Sequence, residues 1–214
     1  MPYQKLAALT FDDGPNPDVT LPLLDILLEA RIPASFFLVG ENITPLTVPV
    51  IERAAKQGCE ICNHSFSHPD MTGLTPNEIR REVSATSERI RQITGTVPRF
   101  FRPPYIAVSE EMFGLIPMPF IAGFGCDDYD PEVRTAERIT RTMAQLRDGA
   151  VILLHDAKSN QQTVDAVRAL IPMIRAEGYE FVTVSELFSR KQITPRSRIV
   201  YSYAEQTTMY AETE

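Results

Sequence analysis

The chain has 214 residues, 43% hydrophobic and 23% charged, which suits one globular domain with a sizeable core. A formal net charge of -7 offers no basic surface to a phosphate backbone, so nucleic acid is not an expected partner. No apolar run approaches the roughly 18 residues of a membrane span. No basic region, apolar segment and cleavage site precede the first strand, so the expected location is the cytoplasm.

In chain order, the apolar run before "TFDDGP" predicts a strand over Ala7 to Phe11, and the spacing of Leu23, Leu24, Leu27 and Leu28 predicts a helix over Leu21 to Ala30. Ser35 to Val39 reads as a second strand. A helix over Val48 to Gln57 is stopped by Gly58. Glu60 to Asn63 is the third strand, and it includes one residue of a C-x-x-C pair, Cys59 and Cys62. With no second pair to complete a metal ribbon, these cysteines read as small apolar residues. Thr75-Pro76-Asn77-Glu78 is a capping box that opens a helix to about Ile93.

Arg99 to Arg102 is expected as a fourth strand, followed by a short helix from Ser109. Phe120 to Phe124 is a fifth strand, with a helix over Thr135 to Leu146 after it. Ala150 to Leu154 is the sixth and most apolar strand, and a helix over Thr163 to Glu177 ends at Gly178. Phe181 to Val184 is the seventh, and from Lys191 the pattern fades into a polar tail. The expected organisation is one domain over residues 1–190 and a tail over 191–214.

Strands alternating with helices imply a parallel sheet. No glycine-rich phosphate-binding sequence follows any strand, so the nucleotide-binding open sheets lose support. Asp12, Asp13, His64, Arg102, His155 and Asp156 all fall at strand ends, and Asp127 and Asp130 just beyond one. A barrel lets such residues converge on one mouth, and a distorted (β/α) barrel is the expected fold.

The only histidines are His64, His68 and His155. His64 and His68 are four residues apart, but Pro69 disfavours a helical backbone at His68, so a tight turn must bring their rings together. Two imidazoles and one carboxylate, from Asp12 or Asp13, make a three-ligand metal site with an open position. The other acid would then be free to take a proton. For both acids to reach one pocket the strand must end at them, as Gly14-Pro15 suggests. His155 is a candidate general acid, with Asp127, Asp128 or Asp130 as its carboxylate partner. Arg102 can orient an acid such as Asp12.

"TFDDGP", "HSFSHP", "RPPY", "DDYD" and "LLHD" resemble, in order and spacing, the five motifs of the polysaccharide deacetylases of carbohydrate esterase family 4, the NodB-homology domain. The resemblance covers roughly residues 5 to 190. It implies metal-dependent removal of N-acetyl groups from N-acetylglucosamine-containing glycans of the peptidoglycan or chitooligosaccharide type. It assigns Asp13, His64 and His68 to a divalent ion, zinc first, with cobalt, nickel, manganese or iron also suited to such a site. Asp12 matches the catalytic base, Arg102 the arginine that braces it, and His155 the acid. Asp130 matches the carboxylate that tunes His155, the Tyr105 amide a donor to the oxyanion, and Leu153 a wall for the acetyl methyl.

The chain departs from the family at two positions: Pro131 stands where tryptophan usually follows the tuning aspartate, and Ile106 where glycine is common. These changes leave room for the same chemistry on O-acetyl esters such as acetylxylan, on formamides or on cyclic amides. A non-catalytic carbohydrate-binding relative is a reading of another class.

Overall fold

The computed structural model describes residues 4–209. Seven strands lie among the described residues: β1 (Lys5–Asp12), β2 (Ser35–Leu38), β3 (Glu60–Asn63), β4 (Phe120–Ile121), β5 (Ala150–His155), β6 (Tyr179–Phe181) and β7 (Val200–Tyr201). The helices are α1 (Pro17–Ala30), α2 (Val48–Lys56), α3 (Pro76–Thr94), α4 (Glu110–Leu115), α5 (Thr135–Gln145), α6 (Gln161–Ala176) and α7 (Val184–Arg190). All the strand ladders are parallel.

Every residue of β1 after Lys5 is buried, as a strand covered on both faces requires. It pairs with β5 along Ala7–Asp12, while its other edge is shared by β6 at Lys5–Ala7 and β2 at Thr10–Asp12. That shared edge is the distortion in the barrel. The remaining wall runs from β3 through single bridges at Phe101, Phe120 and Phe124 back to β5.

The two-residue period of a strand sorts the side chains. Ala7, Leu9 and Phe11 pack outward beneath α1 and α6, whereas Leu6 and Ala8 join Phe37, Cys62, Val151 and Tyr201 inside the barrel. Continuing the inner rows toward the strands' carboxyl ends reaches Asp12 on β1, His64 after β3, and Leu153 and His155 on β5. Apolar packing below thus fixes where the polar groups emerge. The three cysteines are free and buried.

Several expectations need correction. Arg99 to Arg102 forms no strand. Prolines at 98, 103 and 104 bound the segment, and only Phe101 makes bridges, to Asn63 and Phe120. The fifth expected strand ends at Ile121 because Gly123, at φ 84, turns the chain. The seventh lies at Tyr179–Phe181, and Thr183 with Glu186 forms a capping box that starts α7. The polar tail is structured in part: Ile199, Tyr201 and Ala204 are buried, and β7 pairs with β4. Residues 210–214 of that tail lie outside the described residues.

Candidate active site

The first strand ends as "TFDDGP" requires. Asp12 is still extended on β1, but Asp13 adopts a left-handed conformation with φ 75. That reversal lets neighbouring carboxylates reach one pocket. Asp13 Oδ1 lies 3.5 Å from His68 Nε2 and 3.7 Å from His64 Nε2, and Asp12 Oδ2 is 3.5 Å from His64 Nε2.

His64 is buried and held by its own strand neighbours. Its backbone N–H donates to Leu38 O at 3.0 Å, and its Nδ1 lies 2.8 Å from Arg102 O. Nδ1 carries the proton in that contact, which leaves the Nε2 lone pair facing Asp13. Burial, opposed by the Asp13 charge, pulls the His64 pKa down to about 3, so the ring is neutral. The loop to His68 turns through positive φ at Ser65 and again at His68 itself. Glu82 of α3 staples this loop, accepting the N–H groups of Phe66 and Ser67 at 2.8 and 2.9 Å. The His64 and His68 rings then stand 4.8 Å apart.

Arg102 has no exposed surface, pairs with Asp12, donates to Thr10 Oγ1 at 2.9 Å and lies 4.0 Å over the Phe37 ring. Burial raises the Asp12 pKa, against the lowering pull of the Arg102 and His155 charges.

Across the pocket, the carboxylate partner of His155 is Asp128. Its Oδ1 lies 2.8 Å from His155 Nδ1, and its Oδ2 accepts the His155 backbone N–H at 2.8 Å and the Thr163 hydroxyl at 2.6 Å. The expected partner, Asp130, turns away: its Oδ1 accepts Glu132 N–H at 2.9 Å and its carbonyl accepts Arg138 Nη2 at 3.1 Å. The cause is the left-handed Asp127, φ 58, which reverses the chain so that Asp128 points inward and Asp130 closes a turn on Asp127 O. With Asp128 as partner, the residue that follows is Tyr129 and not Pro131. Tyr129 is 68% exposed, and its ring stands 5.8 Å from that of His155.

The two acids and three histidines share a cavity of about 470 Å³ whose apolar wall is Tyr105, Ile106, Tyr129 and Leu153. Tyr105 and Ile106 are both left-handed, at φ 58 and 55, and the Tyr105 ring packs 4.7 Å from that of His68. Asp13, His64 and His68 each offer one donor atom, all within 4.8 Å of one another, and they are the only such group among the described residues. The carboxylate, the neutral buried imidazole and the second imidazole fit a divalent cation.

The polysaccharide deacetylase family model matches residues 2–115, more than half of the chain. The chain belongs to the polysaccharide deacetylase family. It is 41% identical over 192 residues to a bifunctional xylanase/deacetylase of Pseudobutyrivibrio xylanivorans, covering 90% of this chain and 32% of that protein. It is 33% identical to a chitooligosaccharide deacetylase of a Bradyrhizobium species, covering 84% of this chain and 89% of that one. Among solved polysaccharide deacetylase structures, a family 4 acetyl xylan esterase from Clostridium thermocellum with a bound cobalt ion superimposes at a TM-score of 0.92. It is 36% identical, with 94% of this chain and 100% of that one covered. The chain spans two fifths or less of the longer curated relatives it matches.

Asp128 was one of three carboxylates the residues offered to His155, and the resemblance favoured Asp130 instead; Tyr129 was missed, with one signal, the Asp-Tyr pair inside "DDYD". Glu82 had none, because its role depends on how α3 packs against the histidine loop.

Proposed function

We propose that this chain is a metal-dependent deacetylase of acetylated glycans that removes N-acetyl groups from N-acetylglucosamine units. The observation that carries the reading is the opposition of two groups across one cavity. Asp12 stands beside the Asp13–His64–His68 donor set, and His155 stands on the far side with its Nδ1 2.8 Å from Asp128 Oδ1. The ion most suited to the carboxylate and two imidazoles is zinc, with cobalt, nickel, manganese and iron as alternatives. When bound, a divalent cation supplies Lewis acidity, making water easier to deprotonate and a carbonyl easier to attack.

The chain's own residues supply the rest. Asp12 accepts the proton of the attacking water, and its raised pKa makes it a stronger base than an exposed carboxylate. Arg102 keeps that carboxylate aimed and charged in a buried place. Tyr105 supplies a backbone N–H for the developing oxyanion, and Leu153 faces the acetyl methyl. Burial pulls the His155 pKa down, but the Asp128 hydrogen bond and charge, with help from Asp12 and Asp13, outweigh it and hold it at about 9. The ring therefore has a proton to give near neutral pH. As the C–N bond breaks, His155 protonates the departing amine, and acetate and a free amino sugar result.

The test is acetate release from chitooligosaccharides and peptidoglycan fragments by zinc-loaded protein, alongside Asp12→Asn. No release from any acetylated glycan would sink the proposal. A second reading, O-acetyl ester cleavage on xylan, is favoured by the 41% identity to the xylanase/deacetylase and the TM-score of 0.92 to the acetyl xylan esterase. Acetylxylan in the same assay separates the two by their relative kcat/KM.

A further inference from the structure

One buried carboxyl plays no part in this scheme. Asp156 follows His155 and has no exposed surface. Its backbone N–H donates to Asp12 O at 2.9 Å, and its carbonyl accepts Asn16 Nδ2 at 3.0 Å; the same amide donates to Asp13 O at 3.1 Å. Its Oδ2 accepts the Thr20 hydroxyl at 2.5 Å, and Thr20 Oγ1 accepts Asn16 N–H at 2.9 Å. Its Oδ1 is buried with no partner.

The carboxyl group lies against the Cα of Gly14, where any Cβ would overlap its carbon and both its oxygens. Glycine is therefore required at 14 by what lies beneath it.

A buried carboxyl with an unmet oxygen is costly, and such groups are kept where a site needs them. All the hydrogen-bond partners of Asp156 belong to the turn over residues 12–16 or to the first turn of α1. That turn holds Asp13 left-handed, a conformation uncommon outside glycine, and its carbonyl is fastened by the amides of both Asn16 and Asn42.

We propose that Asp156 is a positioning residue for the metal site: with Thr20 and Asn16 it clamps the Asp12–Gly14 turn from the end of β5, so that Asp13 stays left-handed and aims its carboxylate at His64 and His68. Without the clamp, Asp13 relaxes toward ordinary backbone and the donor set loses its preformed geometry. Groups bonded directly to a metal ligand commonly set affinity by 10- to 100-fold, and the Asp156 carboxylate acts further out, through Thr20 and Asn16. The inference rests on the ligand reading given above. It is separate from the acid on the other side of the pocket, because the hydrogen bond to the His155 ring comes from Asp128.

The experiment uses the full chain freed of metal, as wild type, Asp156→Ala, Asp156→Asn and Thr20→Val. Zinc affinity is measured by competition with a chromogenic chelator, the Co(II) visible spectrum reports coordination, and the Tm of each metal-free protein reports folding. Asp156→Ala should bind zinc at least about tenfold more weakly with altered Co(II) bands, while its metal-free Tm is nearly unchanged or higher. Asp156→Asn, which keeps the shape and an acceptor for Thr20, should recover most of the affinity, and Thr20→Val should fall between.

Wild-type affinity and an unaltered cobalt spectrum in Asp156→Ala would overturn the proposal. So would a loss of affinity matched by an equal loss of metal-free stability. If Asp156→Ala does not fold, Asp156→Asn and Thr20→Val decide by the same readouts. Wild-type protein that binds neither zinc nor cobalt would overturn the ligand reading itself, which is a different failure.

Discussion

Asp128 grips His155 twice, accepting its backbone N–H at 2.8 Å and lying 2.8 Å from its ring Nδ1. One side chain thus fixes both the position of the residue and the orientation and charge of its ring. Because the His155 pKa is raised to about 9, the imidazolium prevails below that pH and is lost as pH rises through it. In the metal-free chain, NMR should show the His155 ring titrating near 9 and, in Asp128→Asn, at or below its ordinary 6.5. Asp130→Asn should leave the titration in place. On zinc-loaded enzyme, Asp128→Asn should lower kcat by about 10²-fold, the scale of a lost general acid.

Asp12→Asn separates base from ligand. The Asp13–His64–His68 group remains, so zinc stoichiometry by elemental analysis should stay at the wild-type value, while kcat falls by about 10³-fold. A variant that lost its zinc would instead place Asp12 among the ligands.

Arg102 and Asp12 are buried together, so removing one strands the other. Arg102→Met should destabilise the fold by about 3–5 kcal/mol, read from urea denaturation. Adding Asp12→Asn removes the stranded charge, so the double variant should be more stable than Arg102→Met alone.

Metal should stabilise as well as activate. At a free zinc concentration of 100 times Kd, binding to the native state alone adds about 2.7 kcal/mol, visible as a rise in Tm that a chelator reverses. His68→Ala should abolish that rise. With its side chain about one quarter exposed (26%), His68 can be removed with less damage to the core than the buried His64.

Much of this was legible in the sequence because a strand's two-residue period ties apolar packing to polar placement. Leu6 and Ala8 inside the barrel fix Asp12 at its mouth, and Val151 fixes Leu153 and His155. What escaped the sequence lay in loops whose direction depends on single left-handed residues. Asp127 decides between Asp128 and Asp130 as the partner of His155, and no spacing rule reports its φ of 58. The short strands were obscured for a related reason: β4 and β7 hold only two residues each, too few to show a period. Phe101 makes its bridges alone between prolines.

The barrel seam between β4 and β5 is bridged directly at Phe124 and completed by residues remote from both in sequence. Tyr201 O accepts the N–H groups of Ala122 and Gly123 at 2.8 and 3.0 Å, and Ser202 O accepts that of Val151 at 3.1 Å. On the ribosome, therefore, this wall is held only at Phe124 until residues 200–202 have emerged. Until then the nascent chain presents an open strand edge, the kind of surface that invites intermolecular pairing. Slowed synthesis between β5 and residue 200 would lengthen that exposure, whereas slowing before β5 would leave the edge unmade.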